Sequence, residues 1–371
     1  MEEKKISSAQ EEVNSLVEKA LVALNEFDAF DQEKIDYIVA RMSVAGLDKH
    51  GILAKHAIEE TGRGVFEDKA TKNLFACEYV VNNMRHTKTV GVISENSVSG
   101  ITEIAEPVGV VAGVTPVTNP TSTVIFKCLI AIKTRNPIIF GFHPSAQQCS
   151  KHAAQVMLDA AVEAGAPANC IQWIEHPSLE ATSALMNHEG VATILATGGN
   201  AMVKAAYSCG KPALGVGAGN VPVYIDESAD IKRAVNDIIL SKAFDNGMIC
   251  ASESAIFVHE NVYDEFVETM KRFRVYFATA EETRKLEKYL FGVCKGDANV
   301  ADAHLNAPVV GMPATKIALN AGFEVPAETP IIATLATEVG EAEPMSREKL
   351  SPILAIYKVK SFIEKAVIRN G

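Results

Sequence analysis

Residues 243–254 read AFDNGMICASES and place one cysteine, Cys250, just past three turn-forming residues, Asp245, Asn246 and Gly247. A chain bending sharply out of a helix there can hold a thiol at the rim of a cleft, where it would serve as a nucleophile. A free thiol with a pKa of about 8.5 is only a few per cent thiolate at neutral pH, so such a nucleophile needs donors or dipoles nearby. The other six cysteines, Cys77, Cys128, Cys149, Cys170, Cys209 and Cys294, stand singly in ordinary company and read as small buried hydrophobes. Asn119, in TPVTNPTS, lies between a strand and a helix and can offer a side-chain N–H to an oxyanion, a donor worth about 3 kcal/mol of barrier. Alone, an Asn-Pro pair reads as a turn.

Gly198 and Gly199 follow the strand pattern ATILAT and precede the helical pattern MVKAAYS, so their turn presents backbone N–H groups where a phosphate or ribose could sit. G-x-G-x-x-G is absent, and a plain strand-to-helix turn weighs about equally. His143 and Pro144 close the strand NPIIFGFHP at its carboxyl end, where doubly wound sheets bind ligands, although an isolated histidine there is more often a satisfied structural group. GVGAGNVP lacks the G-K-[ST] ending of a phosphate loop and leads into a strand, VYID, so it reads as a close-packed wall.

The elements that must position these residues follow from periodicity. Val13, Leu16, Val17, Ala20, Leu21 and Leu24 keep helical spacing, and Asp31 is placed to cap a second long helix through Ile35, Ile38, Val39 and Met42. From about Met84 to Pro107 the pattern becomes KTVGVIS and GITEIAEP around the polar ENSVSG, a hairpin that protrudes and seeks a partner. Val/Ile-rich strands then alternate with helices over 122–133, 146–163 and 179–186, which predicts a parallel sheet covered on both faces. A second α/β stretch begins near Asp230 with the helix AVNDIILSKAF, passes Cys250, and continues through the strand ESAIFVHE and the helix VYDEFVETMKRF. The chain ends in a helical pattern, SFIEKAVIRNG.

At 371 residues the chain exceeds one ordinary core, so two domains are expected. Thirty-five basic against 46 acidic residues give a net charge of −11, with no basic block, which argues against nucleic acid and membrane-surface partners. The start, MEEKKISSAQEEV, lacks the features of a secretion signal, no apolar run reaches spanning length, and a cytoplasmic chain with reduced thiols is expected. An odd cysteine count without any C-x-x-C pair suggests neither a disulfide framework nor a metal site.

TPVTNPTS, LATGGNAMVKAA, GVGAGN, FDNGMICASE and EKLSP occur in the order and approximate spacing of the aldehyde dehydrogenase superfamily. The chain resembles its CoA-acylating branch, and in particular the N-terminal half of bifunctional aldehyde-alcohol dehydrogenases, from about residue 10 onward. The resemblance implies an α/β fold with a Rossmann-like parallel-sheet cofactor domain, a bridging and oligomerisation hairpin at 86–106, and an α/β catalytic domain; the strand and helix pattern places the boundary between the domains, giving 1–228 and 229–371. It implies Cys250 as the nucleophile, with Asn119 and the Cys250 backbone N–H holding the oxyanion. It implies NAD binding by Thr115, Pro116, His143, Pro144, Thr197, Gly198, Gly199, Gly217 and Glu348, the last in EKLSP, which matches the family's glutamate-x-phenylalanine-glycine-proline stretch. It further implies a small aldehyde or acyl-CoA as partner, CoA as co-substrate, and a homo-oligomer, filamentous if the chain belongs to a bifunctional protein.

Two departures from the wider superfamily bear on the reaction. Hydrolytic members carry a glutamate in E-L-G-G-K that activates water; the matching place reads VGAGN, with Val216 where the carboxylate would be, and no Asp or Glu occurs between Glu189 and Asp226. Without that base water is a poor acceptor, and the thiol of CoA becomes the expected one. The family's catalytic domain also continues past EKLSP, so this one is expected to be incomplete at its C-terminus. The expected reaction interconverts acetaldehyde, NAD and CoA with acetyl-CoA and NADH through a Cys250 thioacyl. The alternatives are a hydrolytic NAD(P)-dependent aldehyde dehydrogenase, or an inert oligomerisation fragment of the bifunctional enzyme.

Overall fold

A computed structural model describes residues 7–362, so most of the C-terminal SFIEKAVIRNG pattern lies outside the described residues. The chain forms two compact units, one of residues 1–62 and 66–217, the other of residues 63–65 and 218–371.

The first unit opens with α1 (Ser8–Phe27) and α2 (Gln32–Thr61). Asp31 caps α2, its carboxylate accepting the Lys34 N–H at 2.8 Å. On α1 the buried stripe is Val13, Val17, Ala20, Ala23 and Phe27, leaving Leu21 on the exposed side of the apolar arc. Then come α3 (Phe66–Cys77), α4 (Tyr79–Met84), β1 (Gly91–Asn96), β2 (Ile101–Ala105), β3 (Val110–Val114), α5 (Pro120–Lys133), β4 (Ile138–Gly141), α6 (Gln147–Glu163), β5 (Ile171–Trp173), α7 (Leu179–Asn187), β6 (Val191–Thr197), α8 (Asn200–Tyr207) and β7 (Ala213–Val216). β1 and β2 pair antiparallel as the expected hairpin, with Val92, Ile93, Val98, Ile101 and Ile104 exposed.

The remaining strands form a parallel sheet in the order β5-β4-β3-β6-β7. Successive β3 residues point to opposite faces: Val111 packs with α2, α5 and α6, whereas Val110, Ala112 and Val114 pack with α1 and α7. From β3 the chain winds first toward β5, then returns to the other side of β3 for β6 and β7. The carboxyl ends of β3 and β6 are therefore neighbours at the point where the winding reverses, the place where open α/β sheets bind ligands. The buried Lys127 ammonium ties these strands by donating to the carbonyls of Val114 and Leu195, each at 2.7 Å.

The second unit contains β8 (Val221–Ile225), α9 (Ile231–Ala243), β9 (Glu253–His259), α10 (Tyr263–Arg272), β10 (Tyr276–Phe277), α11 (Ala280–Phe291), α12 (Ala314–Ala321), β11 (Ile332–Leu335) and β12 (Ile353–Val359). Its sheet is also parallel, in the order β10-β11-β12-β9-β8. Alternation again divides the core: Ala255 and Phe257 face α11 and α12, Ile256 and Val258 face α9 and α10. The units part at Gly217/Ala218 rather than at the boundary of 228 expected from pattern, because β8 hydrogen-bonds along β9. Pattern also passed over β7: ALGV is four residues long and ends among glycines.

Candidate active site

In the first unit the proposed cofactor residues gather along one edge of the sheet. Thr115 and Pro116 follow β3, His143 and Pro144 follow β4, Thr197 ends β6, Gly198 and Gly199 lead into α8, and Gly217 follows β7. Thr115 is buried, and its Oγ1 has no hydrogen-bond partner among the described residues. His143 is exposed, with its Nδ1 accepting the Ser145 N–H at 3.1 Å. Gly199 has an ordinary φ of −66°, and a Cβ built on it meets nothing within 4 Å. Protein packing thus does not require a glycine there, whereas close approach of a ligand to the backbone would. Gly215 and Gly217 differ: a Cβ on the first would stand 2.6 Å from Val203, on the second 2.8 Å from Asn200 Oδ1, so this part of GVGAGN is the close-packed wall expected. An orphaned hydroxyl, an open glycine and a helix N-terminus at one sheet edge fit a dinucleotide.

Asn119 occupies the N-cap position of α5, but its side chain makes no cap hydrogen bond. An asparagine there ordinarily accepts an N–H of the first turn, an arrangement worth about 1 kcal/mol. Here Oδ1 instead accepts from Lys72 Nζ at 2.7 Å, and Nδ2 lies 3.3 Å from Thr118 Oγ1. Lys72 is held by α3, as are Lys69, whose Nζ donates to the Thr118 carbonyl at 3.1 Å, and Asn73, whose Oδ1 accepts from Thr121 Oγ1 at 2.8 Å. All three are buried. Sequence reasoning missed this set, although the signal was present: Lys69, Lys72, Asn73 and Ala76 keep the i, i+3, i+4, i+7 spacing of a core-facing stripe, with polar groups where apolar ones are usual.

In the second unit Cys250 lies in the turn before β9, and it is the exposed cysteine of the chain. Asp245, Asn246 and Gly247 all have positive φ, at 50°, 53° and 68°, a run of left-handed residues that survives only where surroundings impose it. Those surroundings are identifiable. The buried Asp245 carboxylate accepts the Val65 N–H at 2.7 Å, Asn246 Nδ2 donates to the Gly311 carbonyl at 3.0 Å, and Gly247 packs against the Ser351 backbone. Arg63 anchors its own segment by donating to the carbonyls of Ala307 and Val310. The turn therefore presents Cys250 from a fixed base. Among the described residues none accepts a hydrogen bond from the Cys250 amide, which suits it to a developing oxyanion.

The charged groups of this unit's site come from three places: Glu348 and Lys349 precede β12, Glu253 opens β9, and Lys242 lies near the end of α9. Glu348 Oε1 accepts the Gly219 N–H at 3.0 Å; burial pushes its carboxyl up, while that N–H and the Lys242 and Lys349 ammonium groups pull it down. Lys242 is wholly buried, which lowers its amine to about 8 against the attraction of Glu253 and Glu348. Glu253, three residues past Cys250, keeps a buried Oε2 without a partner. Lys242 and Glu253 escaped the sequence reading because nothing in their spacing marks them. Four of the other thiols are the small buried hydrophobes that their apolar company suggested: Cys77, Cys128, Cys149 and Cys170 are buried, and desolvation pushes each thiol up, Cys77 and Cys170 to about 12. Cys209 and Cys294 are half-buried instead.

An exposed thiol on an imposed turn, joined in one chain to a Rossmann-like sheet with a ligand-ready edge, is the arrangement of the aldehyde dehydrogenase family, and the chain belongs to it: the family's profile matches residues 4–278. Members named among its relatives are oxidoreductases acting on aldehydes. The chain is 66% identical over 360 residues to an aldehyde-alcohol dehydrogenase of Streptococcus pneumoniae, covering 97% of this chain and 41% of that one. It therefore spans less than half the length of that relative. The crystal structure of an acetylating aldehyde dehydrogenase from Geobacillus thermoglucosidasius superimposes with a TM-score of 0.91 at 47% identity, covering 98% of this chain and 78% of the other. A propionaldehyde dehydrogenase of Rhodopseudomonas palustris, solved with bound CoA and an acylated cysteine, matches with a TM-score of 0.81 at 28% identity, covering 96% and 78%. Among the described residues no helix is long and apolar enough to cross a membrane, and no group of three or more potential ligands could hold a metal ion.

Proposed function

We propose that this chain is a CoA-acylating aldehyde dehydrogenase that interconverts acetaldehyde, NAD⁺ and CoA with acetyl-CoA and NADH. The observation that carries the reading is Cys250, an exposed thiol on a turn pinned by Val65, Gly311 and Ser351, in a chain with Val216 where hydrolytic relatives place their base. The Cys250 sulfur adds to the aldehyde carbonyl, and its backbone N–H together with Asn119 Nδ2 stabilises the oxygen that becomes charged. NAD, when bound along the sheet edge of Thr115, Thr197, Gly198 and Gly199, supplies the two-electron acceptor that takes the Cys250-bound carbon to the acyl level. Glu348, kept in place by Gly219, is the group for the nicotinamide ribose. The thioester on Cys250 then passes to the CoA thiol, because between Glu189 and Asp226 there is no carboxylate to activate water. The two-carbon substrate is supported by the likeness to the acetylating aldehyde dehydrogenase. The apolar residues exposed on the β1–β2 hairpin support its role as the oligomerisation element.

The test is NADH formation from acetaldehyde and NAD⁺, with and without CoA, on this chain and on Cys250→Ala. NADH that requires both CoA and Cys250 is the expected result. NADH without CoA would replace this reading with the hydrolytic one, and a folded chain that neither forms NADH nor carries an acyl group on Cys250 would leave the assembly module.

A further inference from the structure

We propose that Lys72 is a positioning residue for Asn119: by claiming the amide oxygen, its ammonium turns the amide nitrogen outward as the oxyanion donor. The inference rests on the acylation chemistry proposed above. Three observations carry it. First, the orientation is not an arbitrary choice of amide rotamer. An ammonium can only donate, so the atom 2.7 Å from Lys72 Nζ must be Oδ1, and Nδ2 is forced to the opposite side. Second, the usual use of an N-cap asparagine would aim that oxygen into its own helix, and α5 lacks this bond; Lys72 has taken the cap's acceptor. Third, Lys72 does not act alone on a pliant loop. Lys69 fixes the carbonyl of Thr118 and Asn73 fixes the hydroxyl of Thr121, so one face of α3 grips the chain on both sides of Asn119.

The consequence for the amide is both geometric and electronic. Of the two Nδ2 hydrogens one is directed to Thr118 Oγ1, leaving the other for a ligand. A cation on the amide oxygen withdraws electron density from the nitrogen, making that hydrogen a stronger donor, as charge-assisted bonds polarise their neighbours. A neutral side chain at 72 would lose both effects, and a neutral side chain retaining a donor would lose only the second.

The experiment is a double-variant cycle on the full 371-residue chain, reading kcat and KM for acetaldehyde in the CoA-dependent assay, with thermal melts to establish that each variant folds. Asn119→Ala removes the donor and should lower kcat by about 10²–10³-fold, the loss typical of one oxyanion donor. Lys72→Met should lower kcat by at least about 10-fold, with KM changing far less, and Lys72→Gln should fall between Lys72→Met and wild type. The Lys72→Met/Asn119→Ala pair should be no slower than Asn119→Ala alone, because Lys72 has nothing left to aim. A folded Lys72→Met chain with wild-type kcat, or a double variant whose loss equals the product of the single losses, overturns the inference while leaving the reaction standing. If Lys72→Met does not fold, a wild-type kcat in Lys72→Gln overturns it equally. Absence of CoA-dependent NADH from the wild-type chain, or a wild-type kcat in Asn119→Ala, refutes the underlying reading and the inference with it.

Discussion

Gly247→Ala tests whether the Cys250 turn is imposed by its surroundings. A Cβ at position 247 would lie 2.6 Å from both the carbonyl carbon and the oxygen of Ser351 and 3.1 Å from the Pro352 nitrogen. Carbon atoms in contact sit at about 3.5–4.0 Å, so two backbone segments would have to separate by about 1 Å, and no side chain can swing away to relieve them. Overpacking of this kind costs about 1–3 kcal/mol. The φ of +68° adds about 1–2 kcal/mol for a residue with a Cβ. The reduced freedom of the unfolded chain returns about 0.5–1 kcal/mol. The net is a loss of about 1–4.5 kcal/mol, or a fall in Tm of roughly 2–18 °C for a unit of about 150 residues. Differential scanning calorimetry on wild type, Gly247→Ala and Gly199→Ala measures it. Gly199 has φ −66° and an open Cβ direction, so its substitution should not lower the melting temperature. A Gly247→Ala chain melting within about 1 °C of wild type would show that the 351–352 backbone yields freely and that the turn is not imposed.

Two further outcomes follow from the titrating groups. Alkylation of the native chain with iodoacetamide should label Cys250 first, and should reach Cys77, Cys128, Cys149 and Cys170 only on unfolding, since burial both shields these thiols and suppresses their thiolates; comparable native labelling of any of the four by mass spectrometry would contradict the packing described. The second concerns Lys242, whose amine burial lowers from 10.5 to about 8. Between those pH values the unfolded chain binds a proton that the folded chain does not, so stability rises with pH across the window. Denaturant melts should show the stability of wild type relative to Lys242→Met increasing by about 3 kcal/mol from pH 8 to 10.5, and a difference that is flat or falls with pH would be inconsistent with a buried, depressed amine.

Much of the positioning framework was legible because it follows from local rules. Alternating Val/Ile strands and helical stripes yielded the parallel sheet of the first unit, Asp31 marked the start of α2, and the turn residues before Cys250 separated it from its fellows. What escaped depends on long-range geometry. β7 and β10 are too short to carry a period, and only pairing with β6 and β11 defines them as strands. Lys72 and Asn119 are 47 residues apart, so their hydrogen bond is invisible until α3 packs beside the start of α5. The same holds for Glu348, which meets Gly219 across 129 residues.

The segment Arg63–Val65, short as it is, bears on how the protein is made. Its bonds reach across 180 residues to Asp245 and across 244 and 247 residues to Ala307 and Val310, and the same turn rests on the backbone of Ser351. Residues 63–65 leave the ribosome early, the cysteine much later, and the last supporting surface later still. Contacts of such separation form only after long loops close. During synthesis, therefore, Cys250 emerges on a segment whose left-handed bend has nothing yet to enforce it, and the thiol takes its folded position only once translation has passed residue 351. A nascent chain carries this thiol for roughly a hundred residues of elongation, several seconds at ordinary rates, before the turn that exposes it is complete.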